Sequence, residues 1–188
     1  SKVEYGWDSY LLRKRLQSRP WSPGGRVLVV TGGGDPTGQA ATLPALLDDS
    51  LPAESEVDWV QGPLASPPAL PLRPKLGWTV HNAPESLDEL IVGANYALVV
   101  YGVSFFEILQ YGVPSVVFSP YDFTDPREME ALKGEDVASL SDDAPTAVRE
   151  LVRLMSDHGT AGRYSTRAVE LLEPDGAARL ARRIVGLA

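Results

Sequence analysis

Residues Arg26–Gly38 have the sequence RVLVVTGGGDPTG, in which a short apolar and β-branched run ends abruptly in three glycines. A segment able to form a helix follows, from Gln39 to Leu47. Pro44 lies inside this segment and fits only the first turn of a helix, so we expect the helix to be short or to start late. The stretch therefore predicts a strand, a tight glycine turn and a helix in that order.

Gly32, Gly33 and Gly34 have two interpretations. Such a turn lets a phosphate approach bare backbone and bind N–H groups at a helix N-terminus, where the dipole is equivalent to roughly half a positive charge. Alternatively, α/β proteins need glycine at some strand-to-helix turns, because positive φ is accessible there without strain. Three glycines exceed what a turn requires, so a nucleotide or nucleotide-sugar site is the first hypothesis. Asp35 is expected to cap the following turn, and its charge disfavours a phosphate placed too close.

The composition is that of an acidic globular protein. The 188 residues suit one domain or two small ones, and 44% are hydrophobic and 22% charged. The net charge of −8 argues against nucleic acid and anionic membranes as bulk partners, while leaving room for a locally positive anion site. The absence of cysteine excludes disulfides, thiolate metal sites and a cysteine nucleophile.

Targeting and metal signals are missing from the sequence. No apolar stretch approaches membrane-spanning length and no signal peptide is visible, so we expect a cytoplasmic protein. The chain starts at Ser1 without methionine, as expected of a processed chain or a piece of a longer one. No metal-ligand spacing and no Ser/His/Asp order is present, so we expect no metal, no cofactor and no catalytic residue in this chain.

Residues 1–26 are interpreted as a lead-in or interdomain segment, with a short helix at Tyr10–Leu16, and residues 27–188 as an α/β domain. Strands are predicted at Val27–Thr31, Val57–Gln61, Trp78–His81, Ala97–Tyr101, Ser115–Ser119 and Asp136–Ser139. Further helices are predicted at Pro84–Gly93, Ser104–Gln110, Ala144–Ser156, Thr160–Leu172 and Asp175–Leu187. Continuous apolar strands separated by helices predict a Rossmann-like, doubly wound, mainly parallel sheet of about six strands with helices on both faces.

In doubly wound sheets a ligand binds at the carboxyl ends of the strands, where the strand order reverses. With the common strand order this point lies between the first and fourth strands, so the loops Gly32–Gly38 and Tyr101–Glu107 are expected to meet there. Glu107, in the predicted first turn of a helix, could accept hydrogen bonds from vicinal ribose hydroxyls, or could simply be favoured by the helix dipole. His81 ends the third strand on the same edge and could approach a base.

Two common nucleotide motifs are absent. No Gly-Lys-Ser/Thr follows the glycine turn, so an ATPase of the Walker type is not expected. Position 37 is threonine where the dinucleotide spacing needs glycine, and Gln61 follows the second strand in place of a ribose-binding acid. A nicotinamide dehydrogenase domain is therefore the weakest of the alternatives.

An ordered set of short motifs resembles the C-terminal half of GT-B type glycosyltransferases, over nearly the whole chain. The greatest likeness is to the UDP-sugar hydrolase of pseudaminic acid synthesis and related spore-coat polysaccharide proteins. The motifs are Tyr5-Gly6 with Tyr10-Leu11-Leu12-Arg13, Val29–Pro36, Ser86–Leu90, Ala94–Leu98, Ser104–Glu107, Tyr111–Val117, and Asp175-Gly176 with Ala178-Arg179.

The resemblance implies a UDP-like ligand. Gly33 and Gly34 would border its diphosphate, the backbone of Gly102, Val103 and Ser104 would meet phosphate oxygens, and Glu107 would hold its ribose. The chain departs from the family at Tyr101, at Val103, and at Asp125-Pro126, where the family has smaller residues or an amide.

The sequence thus predicts the nucleotide-sugar-binding domain of a GT-B type glycosyltransferase or UDP-sugar hydrolase, as a fragment without the N-terminal half that carries acceptor and catalytic groups. A fragment of this kind would bind its ligand and not turn it over. The alternative, which the departures support, is a non-catalytic domain of the same fold that is used for protein interaction.

Overall fold

The computed structural model describes residues 10–12, 14–121, 126–172 and 176–186. Its strands are β1 (Arg26–Val30), β2 (Glu56–Gln61), β3 (Gly77–Asn82), β4 (Tyr96–Val100), β5 (Ser115–Phe118) and β6 (Ser139–Ser141). Its helices are α1 (Gln39–Ser50), α2 (Asp88–Gly93), α3 (Val103–Leu109), α4 (Pro126–Glu135), α5 (Ala144–Ser156), α6 (His158–Leu171) and α7 (Gly176–Gly186). Asp175, at the predicted start of the last helix, lies outside the described residues. Within the described ranges, no helix combines the length and the apolar character needed to cross a membrane.

The strands form one parallel sheet in the order β3-β2-β1-β4-β5-β6. The chain builds from β1 out to β3, then returns to the other side of β1, where β4 pairs with it and Val30 lies opposite Val99. Strand order therefore reverses between β1 and β4, so the loops that follow these two strands share one edge of the sheet. This topology confirms the Rossmann-like, doubly wound fold.

The strands supply two apolar cores, one on each face of the sheet. Val27 and Val29 pack in a cluster with α1 and α5, whereas Leu28 and Val30 pack in a second cluster with α2 and α3. All four side chains are at most 3% exposed. Since successive side chains of a strand point to opposite faces, one uninterrupted apolar run supplies both cores. Burial of each such side chain stabilises the fold by roughly 1.5–3 kcal/mol. This packing fixes the helices against the sheet and so fixes the loops at its carboxyl edge.

Helix α1 corrects the expectation of a short or late-starting helix. It begins at Gln39 and continues to Ser50, with Pro44 in its second turn. Proline lacks the N–H group that would bond the carbonyl of Ala40, four residues earlier. The backbone N–H of Ala69, in the proline-rich loop between β2 and β3, donates to that carbonyl at 2.8 Å instead. The helix tolerates Pro44 because a distant segment replaces the missing donor.

Other predicted boundaries also differ from the structure. The lead-in helix predicted at Tyr10–Leu16 is wrong, since the described residues of that range form no helix and the N–H groups of Arg15 and Leu16 donate to the Tyr111 hydroxyl. The predicted helix 84–93 begins only at Asp88, and the sixth strand lies three residues later than predicted at its start. Helix α4 was not predicted as a separate element.

Candidate functional site

The glycine turn after β1 and the loop after β4 follow paired strands and so lie at the same sheet edge. Gly32 has φ 94°, a left-handed conformation that glycine adopts without strain. A Cβ atom built on Gly32, Gly33 or Gly102 would have no other atom within 4 Å. The backbone at these three positions therefore borders open space, as the approach of a ligand to bare backbone requires.

A fourth glycine, Gly62 directly after β2, packs against the glycine turn. A Cβ atom on Gly62 would lie 2.4 Å from the carbonyl oxygen of Gly33 and 2.5 Å from that of Gly32. The same Gly33 oxygen accepts a hydrogen bond from the N–H of Leu64 at 3.0 Å. The loop after β2 thus packs directly on the glycine turn, which a residue with a side chain at position 62 would prevent. The sequence offers only a glycine after an apolar strand as a signal for this contact.

Asp35 occupies the N-terminus of α1. Its two carboxylate oxygens accept hydrogen bonds from the N–H groups of Gln39, at 2.9 Å, and Ala40, at 2.7 Å. The residue is 7% exposed, so this is the capping role that the sequence predicted. Because a carboxylate already binds these N–H groups, an anion at this edge would meet the backbone of the glycine turn and not the first turn of α1.

A cavity of about 300 Å³ opens beside the loop after β4 and contains Glu107. Its walls are the segment before α2, one face of α3, and three residues of the lead-in segment. The lining residues are Leu11, Leu12, Arg15, Pro84, Glu85, Ser86, Leu87, Asp88, Ile91, Val103, Glu107, Gln110 and Tyr111. This volume is at the lower end of the range for small-molecule sites, roughly 300–1,000 Å³.

The position of Glu107 differs from the one predicted. Helix α3 begins at Val103, so Glu107 lies in the second turn and not in the first. The helix-dipole explanation of this acid is weakened accordingly, because the dipole effect falls off within the first turn. Burial raises the pKa of the Glu107 carboxyl, and the nearby charge of Asp88 raises it further. A half-buried carboxylate at a cavity wall gains by accepting hydrogen bonds from a ligand, since such bonds compensate its desolvation.

His81 lies on β3 beside the buried carboxylate of Asp58, which pairs with the exposed Arg26. Its Nε2 is 2.7 Å from the Asp58 carboxylate, which also accepts a hydrogen bond from Arg26 Nε at 2.6 Å. Burial alone would raise the pKa of Asp58, but the hydrogen bonds from Arg26 and His81 outweigh burial and lower it. The imidazole is thus held against the sheet by Asp58, and contact between His81 and a base stays a prediction.

The two bulky residues of the loop after β4 differ in environment. The Tyr101 hydroxyl donates to Glu128 of α4 at 3.1 Å, and its ring packs edge-on against Phe106. Val103 is 70% exposed and lines the Glu107 cavity. Ser104 is half-buried in the first turn of α3. The side chain of Pro126, the other departure from the family pattern, lies outside the described residues.

The structure also joins two residues that the sequence did not single out as functional. Tyr111 donates its hydroxyl hydrogen to Asp88, which accepts a second hydrogen bond from Ser86. Both Asp88 and Tyr111 line the Glu107 cavity. Among the described residues, no group of three or more His, Asp or Glu side chains is arranged to hold a metal ion.

Comparison with known protein families gave no match, and neither did comparison with curated proteins. Solved structures do match. MurG from Acinetobacter baumannii matches with a TM-score of 0.66 at 15% identity, covering 88% of this chain and 50% of that one. CalG4, the calicheamicin glycosyltransferase, matches with a TM-score of 0.64 at 21% identity, covering 91% and 43%. The glycosyltransferase SnogD from Streptomyces nogalater matches with a TM-score of 0.55 at 18% identity, covering 100% and 47%.

These similarities concern the fold. The six-stranded parallel sheet with helices on both faces matches the Rossmann-like architecture of GT-B glycosyltransferases. The chain spans about half the length of the solved structures that it matches.

Proposed function

We propose that this chain is the nucleotide-sugar-binding domain of a GT-B type glycosyltransferase or UDP-sugar hydrolase. The observation that carries the proposal is the half-buried Glu107 carboxylate in a cavity of about 300 Å³ that is also lined by Val103, the first residue of the helix that follows β4. The finer likeness to the UDP-sugar hydrolase of pseudaminic acid synthesis and the spore-coat polysaccharide proteins belongs to this proposal and rests on the sequence motifs alone.

In this proposal the ligand lies across the two loops of the sheet edge. The ribose enters the cavity, where its vicinal hydroxyls donate to Glu107. The diphosphate passes over Gly33 and Gly34 and meets the backbone of Gly102, Val103 and Ser104. The open space at Gly32, Gly33 and Gly102 supports this path, and the occupied N-terminus of α1 argues against a phosphate there.

The chemistry proposed for the whole protein is cleavage of the sugar–phosphate bond. The bond between the anomeric carbon and the diphosphate oxygen breaks, the oxygen keeps the electron pair, and an acceptor hydroxyl or water forms the new bond to carbon. This domain would stabilise the departing diphosphate with backbone N–H groups aimed at its oxygens. A second half of the protein would bind the acceptor and transfer the proton, so this chain alone would bind the nucleotide sugar without turning it over. The whole protein would act in the cytoplasm.

Thermal denaturation with nucleotides tests the proposal. At one hundred times the dissociation constant, UDP or a UDP-sugar should stabilise the chain by about 2.7 kcal/mol and raise its Tm by roughly 5–11 °C. Glu107→Gln should remove most of this shift. Glu89→Gln is the matched control, because Glu89 is exposed on α2 and outside the cavity lining. Absence of a shift with millimolar UDP, or an equal shift with NAD, would contradict the proposal.

The second candidate is a non-catalytic domain of this fold that binds another protein. Two apolar side chains beside the glycine turn and the loop after β4 favour it, since Leu64 is 86% and Val103 70% exposed. Apolar groups exposed at a functional edge are typical of interaction surfaces when they form a patch. This candidate predicts no thermal shift with any nucleotide in the same titration.

A further inference from the structure

Two walls of the Glu107 cavity belong to no helix or strand, and one of them comes from the lead-in segment. Leu11, Leu12 and Arg15 of the lead-in segment close the side that faces α2 and α3. The described residues of this segment from Tyr10 to Leu16 have no regular secondary structure. A wall made of irregular chain keeps its position only if side chains elsewhere hold it.

Hydrophobic packing holds only part of this wall, through Leu12, which packs against the apolar cluster shared with α2 and α3. Leu11 is 58% and Leu16 40% exposed, so two of its apolar side chains remain largely in water. One aromatic contact does fix its start, where Tyr10 stacks on Phe106 with ring centroids 4.1 Å apart. The remaining attachments are polar.

The polar attachments converge on Asp88 and Tyr111. The N–H of Arg15 lies 3.1 Å from the Tyr111 hydroxyl oxygen and 3.2 Å from an oxygen of Asp88, and it donates to both. The N–H of Leu16 donates to the same Tyr111 oxygen at 3.2 Å. Tyr111 in turn donates to Asp88, which also accepts from Ser86. These two side chains therefore replace the carbonyl partners that a helix would have provided.

Lys14 adds a third attachment on the same side. Its Nζ donates to the backbone carbonyl of Gln110 at 2.8 Å and lies 5.0 Å from the centre of the Tyr111 ring. The polar contacts of the segment involve Gln110, Tyr111 or Asp88, and they join it to the end of α3, one turn beyond Glu107, and to the start of α2. A change in these contacts would therefore move this wall of the cavity.

We propose that Asp88 and Tyr111 are positioning residues that hold residues 10–12 and 14–16 as a wall of the ligand cavity, so that nucleotide binding and attachment of this segment are coupled. The inference rests on the proposed function, because the nucleotide is the ligand assigned to the cavity there. Coupling of this kind is reciprocal: if the segment strengthens nucleotide binding, bound nucleotide stabilises the attached segment by the same factor.

Tyr111→Phe tests the inference, since it removes the hydroxyl and keeps the ring beneath Lys14. Tyr96→Phe is the matched control, because the buried Tyr96 hydroxyl has no hydrogen-bond partner in the part of the chain described. Two quantities are measured: the dissociation constant for UDP by calorimetry, and the rate of tryptic cleavage after Lys14 and Arg15, followed by mass spectrometry with and without UDP. Near-UV circular dichroism establishes that each variant is folded.

The expected result has three parts. Tyr111→Phe binds UDP at least about tenfold more weakly, because it removes the hydrogen bonds from the Arg15 and Leu16 N–H groups and the one to the charged Asp88 carboxylate, and the last alone is worth about tenfold. Its segment is cleaved about tenfold faster than that of the unmodified chain for the same reason. Saturating UDP slows this cleavage in the unmodified chain and in Tyr96→Phe but much less in Tyr111→Phe, a difference that a purely structural role would not produce.

Each other outcome is decisive. If Tyr111→Phe binds UDP within about twofold of the unmodified chain, the inference is overturned, however fast the segment is cleaved, and the proposed function stands. If the unmodified chain binds no UDP, the proposed function fails first and the inference fails with it. If Tyr111→Phe does not fold, Asp88→Asn takes its place, because it keeps the side-chain shape and is expected to weaken UDP binding in the same direction.

Discussion

Gly62→Ala is the substitution whose effect the geometry constrains most tightly. The added methyl carbon would lie 2.4–2.6 Å from the carbonyl atoms of Gly32 and Gly33, which are backbone atoms and cannot rotate away. The glycine turn must therefore shift. Overpacking of this kind costs about 1–3 kcal/mol, and the shift endangers the hydrogen bond from Leu64 to Gly33, worth about 1 kcal/mol. Together these give a loss of roughly 2–4 kcal/mol, or about 4–16 °C in Tm for a chain of this size.

Chemical denaturation of Gly62→Ala and Gly33→Ala measures this effect. Gly33→Ala is the matched control, since its methyl group would meet no atom within 4 Å and should leave stability unchanged within about 0.5 kcal/mol. The two glycines touch each other but differ in the space around them. Equal stability of the two variants would refute the packing argument. In the proposed function, Gly33→Ala should nevertheless weaken UDP binding, because its methyl group enters the space assigned to the diphosphate.

Three further predictions concern carboxylates, of which Asp35 and Asp48 are buried and Glu107 is half-buried. Asp35→Ala should lower stability by about 1–2 kcal/mol in urea denaturation, because two N–H groups of α1 lose their acceptor, while Asp49→Ala on the exposed side of α1 should not. Asp48 is buried, which would raise its pKa, but hydrogen bonds from the Lys75 N–H and the Trp78 ring lower it. The ionised Asp48 carboxylate therefore stabilises the fold above about pH 4, and this stabilisation is lost as the pH falls through the folded-state pKa. In Asp48→Asn the free energy of unfolding should therefore fall less steeply below about pH 4. The pKa of Glu107 is raised by burial and by the nearby charge of a second carboxylate, so the folded state loses stability as the pH rises through that pKa. Thermal melts should show that Glu107→Gln is more stable than the unmodified chain at pH 7 and equally stable near pH 3. A less stable Glu107→Gln at pH 7 would contradict the argument that burial raises the pKa of this carboxyl.

The fold was predictable because its signals are local. A run such as Val27–Val30 is apolar on both faces, and only a strand covered on both sides uses such a run, so parallel strands follow from the composition of each segment. Asp35 was predictable as a cap because its partners, Gln39 and Ala40, lie four and five residues away. The switch point followed from the order of the elements and the common rule for such sheets.

Two of the wrong predictions depend on partners far along the chain. Helix α1 keeps Pro44 because Ala69 donates to the carbonyl that proline leaves without a partner. The lead-in segment forms no helix because Tyr111, ninety-six residues from Arg15, accepts its N–H group. Glu107 was assigned to a first turn because local propensity locates helix ends only to within about two to four residues.

Periodicity and glycine placement alone were sufficient for the doubly wound sheet and for the point where its strand order reverses, because both depend on which residues are apolar and where the backbone must turn. Three-dimensional packing alone established that Gly62 packs against the glycine turn, that Ala69 replaces the donor missing at Pro44, and that the lead-in segment closes the Glu107 cavity. These contacts join segments that no short-range pattern relates, so they exist only once the whole chain has folded.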